Sequence, residues 1–289
     1  MDLNKDLTIF YVVGGDQQHY DSMFRCMKSI RQSGIDPHFL ILEFGKTLTS
    51  LGKVKVINMP DVIDFNSGKK AGHIIWKHKY VAALEVETKY GMYVDTDTVL
   101  ANNNFEDLVT SIKDGIGVVH HFWCPKVADF AVKAVPPGSP GFKKVCEQHS
   151  LTGQEDFTTG GLFVFANNEK NKKVFLDILE YHDMLQEAMG RPKDDPEYFP
   201  GVTDEVFLVA ALKKYDGHIE CFNGAANHCS MGESFMPMKL VDGTLHGKNP
   251  QDAAYEIVTF LHCDTSRRDP SKEYSGRIKE VIRQRFSLK

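Results

Sequence analysis

One stretch constrains this chain more than any other: Lys89-Tyr90-Gly91-Met92-Tyr93-Val94-Asp95-Thr96-Asp97-Thr98-Val99-Leu100. Its apolar, aromatic and β-branched residues read as a strand, and that strand runs into two carboxylates one residue apart. In extended backbone, residues i and i+2 point the same way, so Asp95 and Asp97 are expected to converge if the strand stays extended. Two hard oxygen ligands at a strand end suit a divalent cation that keeps open positions for a phosphorylated partner. The competing reading is that Asp-Thr-Asp only ends the strand through side-chain-to-backbone turns.

Around this stretch the chain alternates. Residues 7–13 form a β-rich run closed by Gly14 and Gly15, residues 21–32 carry helical apolar spacing up to a stop at Gly34, and residues 38–43 and 54–59 read as strands. Strand-helix-strand alternation of this kind predicts a parallel, doubly wound sheet opening at the N-terminus. Residues 72–88 read as a long helix that delivers the chain into the Asp95 strand. Beyond it the pattern gives strands at 115–122, 160–165 and 255–261, helices at 172–189, 206–214 and 275–286, and loops at 135–141 and 191–201. With no internal repeat and no long linker, the 289 residues are expected to form one α/β domain around a mixed sheet with loop insertions.

Composition narrows the partners. A hydrophobic content of 42% supplies a sizeable core, while a net charge of -5 and a pI near 6.2 argue against generic binding to nucleic acid or anionic membranes. The six cysteines, Cys26, Cys124, Cys146, Cys221, Cys229 and Cys263, are scattered without a CxxC pair. Reduced thiols and a cytoplasmic setting follow as the expectation. The N-terminus is charged and leads directly to the first strand, so neither a signal peptide nor a membrane span is expected.

Three later segments join the carboxylate pair. Thr158-Thr159-Gly160-Gly161 precedes an apolar strand, where glycine lets backbone approach a polar ligand closely or forms a β-bulge. Thr203-Asp204-Glu205 opens the helix at 206–214, and there Thr203 or Asp204 could serve as a cap while acids favour the first turn. The strand at 255–261 ends on His262, followed by a loop bearing Arg267, Arg268 and Lys272. His262 could complete a metal site begun by Asp95 and Asp97, with those cations facing phosphate oxygens; a structural strand-end imidazole is the alternative.

In this order the segments resemble a GT-A-fold, DxD-containing glycosyltransferase that uses a nucleotide sugar. Residues 89–100 are similar to the "kYGG-iYlDtDv" form of families with galactosyl-, glucosyl- and mannosyltransferases, residues 158–165 to their "NSGvlli" strand, 203–207 to the acidic helix start, and 258–262 to the terminal strand with its metal-ligand His. There are departures. A single Gly91 stands where the pattern has two glycines, Thr158-Thr159 replaces Asn-Ser, and the arginine of the helix before the DxD is absent, with Lys77, His78 and Lys79 nearest.

The resemblance implies a single GT-A, Rossmann-like domain with a mainly parallel central sheet flanked by helices. Residues 1–100 would bind nucleotide and end in the DxD, and 101–289 would bind acceptor and supply the C-terminal metal ligand. It further implies Mn2+ or Mg2+ on Asp95, Asp97 and His262, and Asp204 or Glu205 facing the sugar as catalytic carboxylates. The donor would be a nucleotide sugar, UDP-linked by first choice, held by Tyr11, Asp16, Tyr20, Lys77, Lys79, Thr96, Gly160, Gly161 and Arg267. The acceptor would be a hydroxyl of an oligosaccharide or glycoconjugate, with retention of configuration favoured. Two other readings compete. Residues 94–100 also resemble the first motif of haloacid-dehalogenase-type phosphatases, with Asp95 as nucleophile, although that motif opens its domain and here about three strands come first. The other is a non-catalytic nucleotide-sugar-binding module.

Overall fold

A computed structural model describes residues 1–15, 17–59, 72–121, 124–135, 137, 139–191, 203–215, 218–222, 227–229, 237–249, 253–262 and 274–286. The chain does not pass straight into a strand. It first makes one turn, α1 (Leu3–Asp6), where the Asp2 carboxylate accepts the Asn4 backbone N–H. β1 (Leu7–Gly14) follows, buried on both faces. Its side chains divide by parity, with Ile9, Tyr11 and Val13 in one core and Phe10 and Val12 in the other. α2 (Gln17–Gln32) stops before Gly34, whose φ of +90° suits glycine.

β2 (His38–Phe44), β3 (Val54–Met59) and α3 (Gly72–Leu84) lead to β4 (Tyr90–Val94). The Asp95 strand does not stay extended, as the sequence reading required. β4 ends at Val94, Thr96 and Asp97 lie in a turn, and β5 (Thr98–Leu100) joins a different sheet. Next come α4 (Phe105–Ser111), β6 (Ile116–His120), α5 (Val127–Lys133) and α6 (Pro140–Gln148), whose first residue is a proline that has no N–H to lose at that position. β7 (Thr158–Ala166), α7 (Glu169–Ala188), α8 (Asp204–Lys214) and β8 (Ile219–Phe222) complete the main layers, and β9 (Asn227–Cys229), β10 (Met238–Val241), β11 (Thr244–Lys248), β12 (Tyr255–Ile257), β13 (Phe260–His262) and α9 (Gly276–Phe286) form the C-terminal part.

Seven strands make the central sheet in the order β3-β2-β1-β4-β7-β6-β8. All of its pairs are parallel except those made by β7, which runs against both β4 and β6. One core lies on the α3, α7 and α8 side and includes Tyr80, Tyr93, Phe163 and Phe175; the other lies on the α2 side around Tyr11, Met23, Cys26 and Met92. After β1 the chain builds β2 and β3 on one side and then returns to place β4 on the other. The carboxyl ends of β1 and β4 therefore flank a topological switch point, where open α/β sheets bind ligands.

The expected strand at 255–261 is in fact two strands. β12 pairs with β11 in the sheet β10-β11-β12, whereas β13 pairs with β5 and β9. Between them the Val258 carbonyl accepts a hydrogen bond from Asn102 Nδ2 at 2.6 Å, and the Thr259 carbonyl accepts the Ala101 N–H at 2.8 Å. Those bonds turn the chain from one sheet into the other and carry His262 to the DxD turn. Among the described residues no helix is long and apolar enough to cross a membrane.

Candidate active site

The DxD turn is held from both sides of the sheet. Asp95 donates its backbone N–H to the Gly161 carbonyl on β7 at 2.9 Å. Two residues back along β4, and so on the same face, Tyr93 donates its hydroxyl to Asp95 Oδ1 at 2.7 Å. The Tyr93 ring is fixed by Phe10 and Phe163, at centroid distances of 5.5 and 5.3 Å. One carboxylate oxygen is thereby anchored to the core and the other, Oδ2, lies 3.8 Å from His262 Nε2. Asp97 Oδ1 lies 3.0 Å from the same nitrogen. One donor atom from each of Asp95, Asp97 and His262 falls within 4.8 Å of the others. Two carboxylates and an imidazole on three half-buried residues fit a divalent cation. The convergence comes from a turn plus a strand of another sheet, not from i, i+2 alternation alone.

Lys79 joins this cluster to the acidic helix start. Its side chain, 6% exposed, projects from α3 and places Nζ 3.4 Å from Asp95 Oδ1, 2.9 Å from Asp204 Oδ2 and 3.2 Å from the Gly160 carbonyl. Asp204 is the first residue of α8, and its carboxylate rests against β7 so closely that a Cβ on Gly160 would lie 2.2 Å from Oδ2. The Gly160-Gly161 pair sits in a bulge, where the β6–β7 register jumps between Val118 and Val119 and Thr159 Oγ1 accepts the Gly161 N–H. The close approach foreseen at these glycines is real, and what approaches is Asp204 and the Asp95 N–H. Thr203 precedes α8 but makes no side-chain cap. Asp204 is therefore bound to Lys79 rather than spent as a cap.

Charge in the cluster follows from burial and pairing. Burial disfavours the Asp95 carboxylate, but Lys79 and His262 outweigh it and hold its pKa below the usual range. Burial also works against the Lys79 ammonium, and Asp204 and Asp95 overcome it, so its pKa rises. Asp204 bears the desolvation, and burial first, with Glu205 adding to it, pushes its pKa up against the pull of Lys79. For His262 burial opposes the charged form, yet Asp97 and Asp95 raise its pKa to about 9. Nearby His121 is pushed down to about 3 by burial and then by His262, and its Nδ1 accepts the Cys124 N–H.

Several expected donor residues lie elsewhere. Tyr11 is a core side chain, 0% exposed, whose hydroxyl goes to Cys26, because its parity on β1 turns it toward α2. Tyr20 is buried likewise, its single hydroxyl proton shared between Glu43 Oε1 at 2.6 Å and the Phe44 carbonyl at 2.9 Å. Both rings are buried. Lys77, two residues before Lys79 and so on another side of α3, pairs with Asp183 at 2.6 Å. Thr96 lies in the DxD turn itself, and Glu205 is half-buried beside Asp204. Asp16 and Arg267 are outside the described residues. Tyr93, Thr98, Cys26 and His121 were not foreseen. Tyr93 had a signal, its i-2 spacing from Asp95, whereas Cys26 meets Thr98 across 72 positions, a contact no local pattern announces.

Sheet order, the antiparallel β7 and the DxD turn at the switch point together define the GT-A fold, an α/β Rossmann-like architecture, and this chain has it. Among solved structures it is similar to the galactosyltransferase LgtC in complex with donor and acceptor sugar analogues, with a TM-score of 0.59 and 13% identity over 96% of this chain and 95% of that one. An active-site mutant of LgtC matches with the same TM-score and identity, over 96% and 94%. The glycosyltransferase GlyE of Streptococcus pneumoniae matches with a TM-score of 0.48 and 10% identity, over 99% of this chain and 61% of that one. No protein-family model matches the chain, and no curated protein matches it by sequence.

Proposed function

We propose that the chain is a metal-dependent glycosyltransferase that moves a sugar from a nucleotide sugar, UDP-linked by first choice, to a hydroxyl of an oligosaccharide or glycoconjugate, with retention of configuration. The observation that carries this reading is the joining of the Asp95, Asp97 and His262 cluster to Asp204 through Lys79 at the carboxyl end of β4. Asp95, Asp97 and His262 would hold Mn2+ or Mg2+, which when bound supplies Lewis-acid charge for the departing nucleoside diphosphate. Tyr93 and Lys79 fix Asp95, and Lys79 sets the position of Asp204. Asp204 is nearly covered, so the half-buried Glu205 is the carboxylate able to meet the sugar directly. A fixed negative charge there stabilises an oxocarbenium-like centre. Residues 1–100 would serve the nucleotide, and 101–289 would serve the acceptor and supply the C-terminal metal ligand, within one domain.

Two carboxylates repel a diphosphate unless a cation stands between them. Calorimetry of UDP binding is expected to give an affinity that falls sharply when EDTA replaces Mn2+; equal affinity in the two buffers overturns the proposal. A panel of nucleotide sugars with Mn2+, read by thermal shift and then by donor turnover, identifies the sugar. Binding with neither transfer nor donor hydrolysis would instead fit a non-catalytic module.

A further inference from the structure

On the α2 side of the sheet, away from Lys79, three side chains from three elements form one line of hydrogen bonds. The Tyr11 hydroxyl donates to Cys26 Sγ at 3.3 Å, Cys26 Sγ and Thr98 Oγ1 are 3.3 Å apart, and Thr98 Oγ1 donates to the backbone carbonyl of Asp95 at 2.9 Å. A hydroxyl carries one proton. That of Tyr11 is committed to sulfur and that of Thr98 to the carbonyl, so the middle bond needs the thiol proton, given by Cys26 to Thr98. Burial, ahead of the opposing hydrogen bonds, pushes the Cys26 thiol up to about 11, which keeps that proton in place. All three bonds then point toward Asp95. Tyr11 and Cys26 are 0% exposed and Thr98 is 1% exposed, and in such a dry setting aligned hydrogen bonds strengthen one another.

The line ends where the three candidate metal ligands meet. Thr98 directly follows Asp97, its hydroxyl holds the Asp95 peptide, and in the β5–β13 ladder it is the register partner of His262. A change at Thr98 Oγ1 thus reaches all three ligands, while Tyr11 and Cys26 tie that atom to β1 and to α2, which packs along β5. We propose that Tyr11, Cys26 and Thr98 act as a positioning relay that sets the divalent-cation site from behind; this rests on the metal-site reading given above. Sulfur suits the middle position because it spans two bonds of 3.3 Å, whereas hydroxyl-to-hydroxyl bonds close to about 2.8 Å and would pull α2 against β5. The relay therefore keeps α2 at its packing distance while still fixing the DxD turn.

The test is Mn2+ affinity, measured by electron paramagnetic resonance of free Mn2+ at fixed pH, together with amide hydrogen exchange of the metal-free protein over residues 95–98. Thr98→Val keeps the shape and removes the hydroxyl. It is expected to weaken Mn2+ about tenfold, the lower end for losing a group that orients a metal ligand, and to speed exchange in the turn, while Thr98→Ser stays within about threefold of wild type. Tyr11→Phe, at the far end of the line, is expected to weaken Mn2+ several-fold, and adding it to Thr98→Val to cost nothing more, as links in series require. A packing role would lower thermal stability and leave Mn2+ affinity alone. Wild-type affinity in both Thr98→Val and Tyr11→Phe overturns the relay, as does a Thr98→Ser variant as weak as Thr98→Val. If Thr98→Val does not fold, Tyr11→Phe decides alone. Failure of the wild-type protein to bind Mn2+ overturns the metal site and the relay with it.

Discussion

On the proposed metal-site reading, a proton and a divalent cation would compete for His262. A ligating imidazole must be neutral, yet beside Asp97 and Asp95 its folded pKa is raised to about 9 instead of resting near 6.5. Metal affinity is therefore expected to rise up to tenfold per pH unit below about pH 9 and to level off above it. Close to one proton should be released per metal bound at pH 7, which calorimetry in buffers of different ionisation enthalpy measures. In the metal-free protein the sign reverses. The raised pKa means that the imidazolium pairing stabilises the fold fully below about pH 6.5 and is lost as the pH climbs through 9. His262→Ala should flatten both profiles, and a wild-type profile that levels off near pH 6.5 would contradict the pairing with Asp97 seen at 3.0 Å.

At the scale of elements, the bulge in β7 and the start of α8 form one working part. Gly160 leaves room for the Asp204 carboxylate, and Gly160→Ala would drive a Cβ into it. Such overpacking costs about 1–3 kcal/mol, and the variant should lose transfer while keeping most of its Mn2+ affinity. Asp204→Asn is not the benign change that a helix cap would allow. It withdraws one partner from a buried ion pair, a loss of about 3–5 kcal/mol when the remaining charge is stranded. Here Lys79 keeps Asp95 at 3.4 Å, so about 1–3 kcal/mol is expected in chemical denaturation. Glu205→Gln, half-exposed beside it, should unfold like wild type and lose about a hundredfold in turnover, the scale of one electrostatic or acid-base contact. If Asp204→Asn proves as stable as wild type, the Lys79 pair contributes nothing net.

For the whole molecule, the proposed metal site would act as a clasp between sheets. Asp95 belongs to the end of β4 in the seven-stranded sheet, while His262 ends β13 in the sheet with β5 and β9. A cation that binds only when both are in place stabilises both at once. At a hundredfold excess over its dissociation constant it adds about 2.7 kcal/mol, and for a chain of this size each kcal/mol raises Tm by about 2–4 °C. Scanning calorimetry is thus expected to give one cooperative transition for residues 1–289, raised by several degrees in Mn2+ with UDP and unmoved in His262→Ala. Two resolved transitions, with only one responding to Mn2+, would contradict the single-domain organisation.

What could be read from the residues in order was whatever depends on neighbours in the chain. The continuous apolar runs of β1 and β4, helical spacing in α2, and a strand running into Asp95-Thr96-Asp97 are local features of the chain, and they placed the sheet and the candidate ligands Asp95 and Asp97, with His262 marked by the end of the last strand. The Asp242-Gly243 turn between β10 and β11, with φ of 49° and 81°, is equally local and equally legible. Tertiary structure alone decided the rest. It bent the DxD into a turn, split the last strand at Val258 and Thr259, and turned Tyr11 inward to serve Cys26. It also chose Lys79 over Lys77, because on a helix two positions apart means different sides, and only packing determines which side meets Asp204 and which meets Asp183. Local pattern fixes how a segment is periodic, but which partner it faces is settled by long-range contacts whose energies no single segment contains.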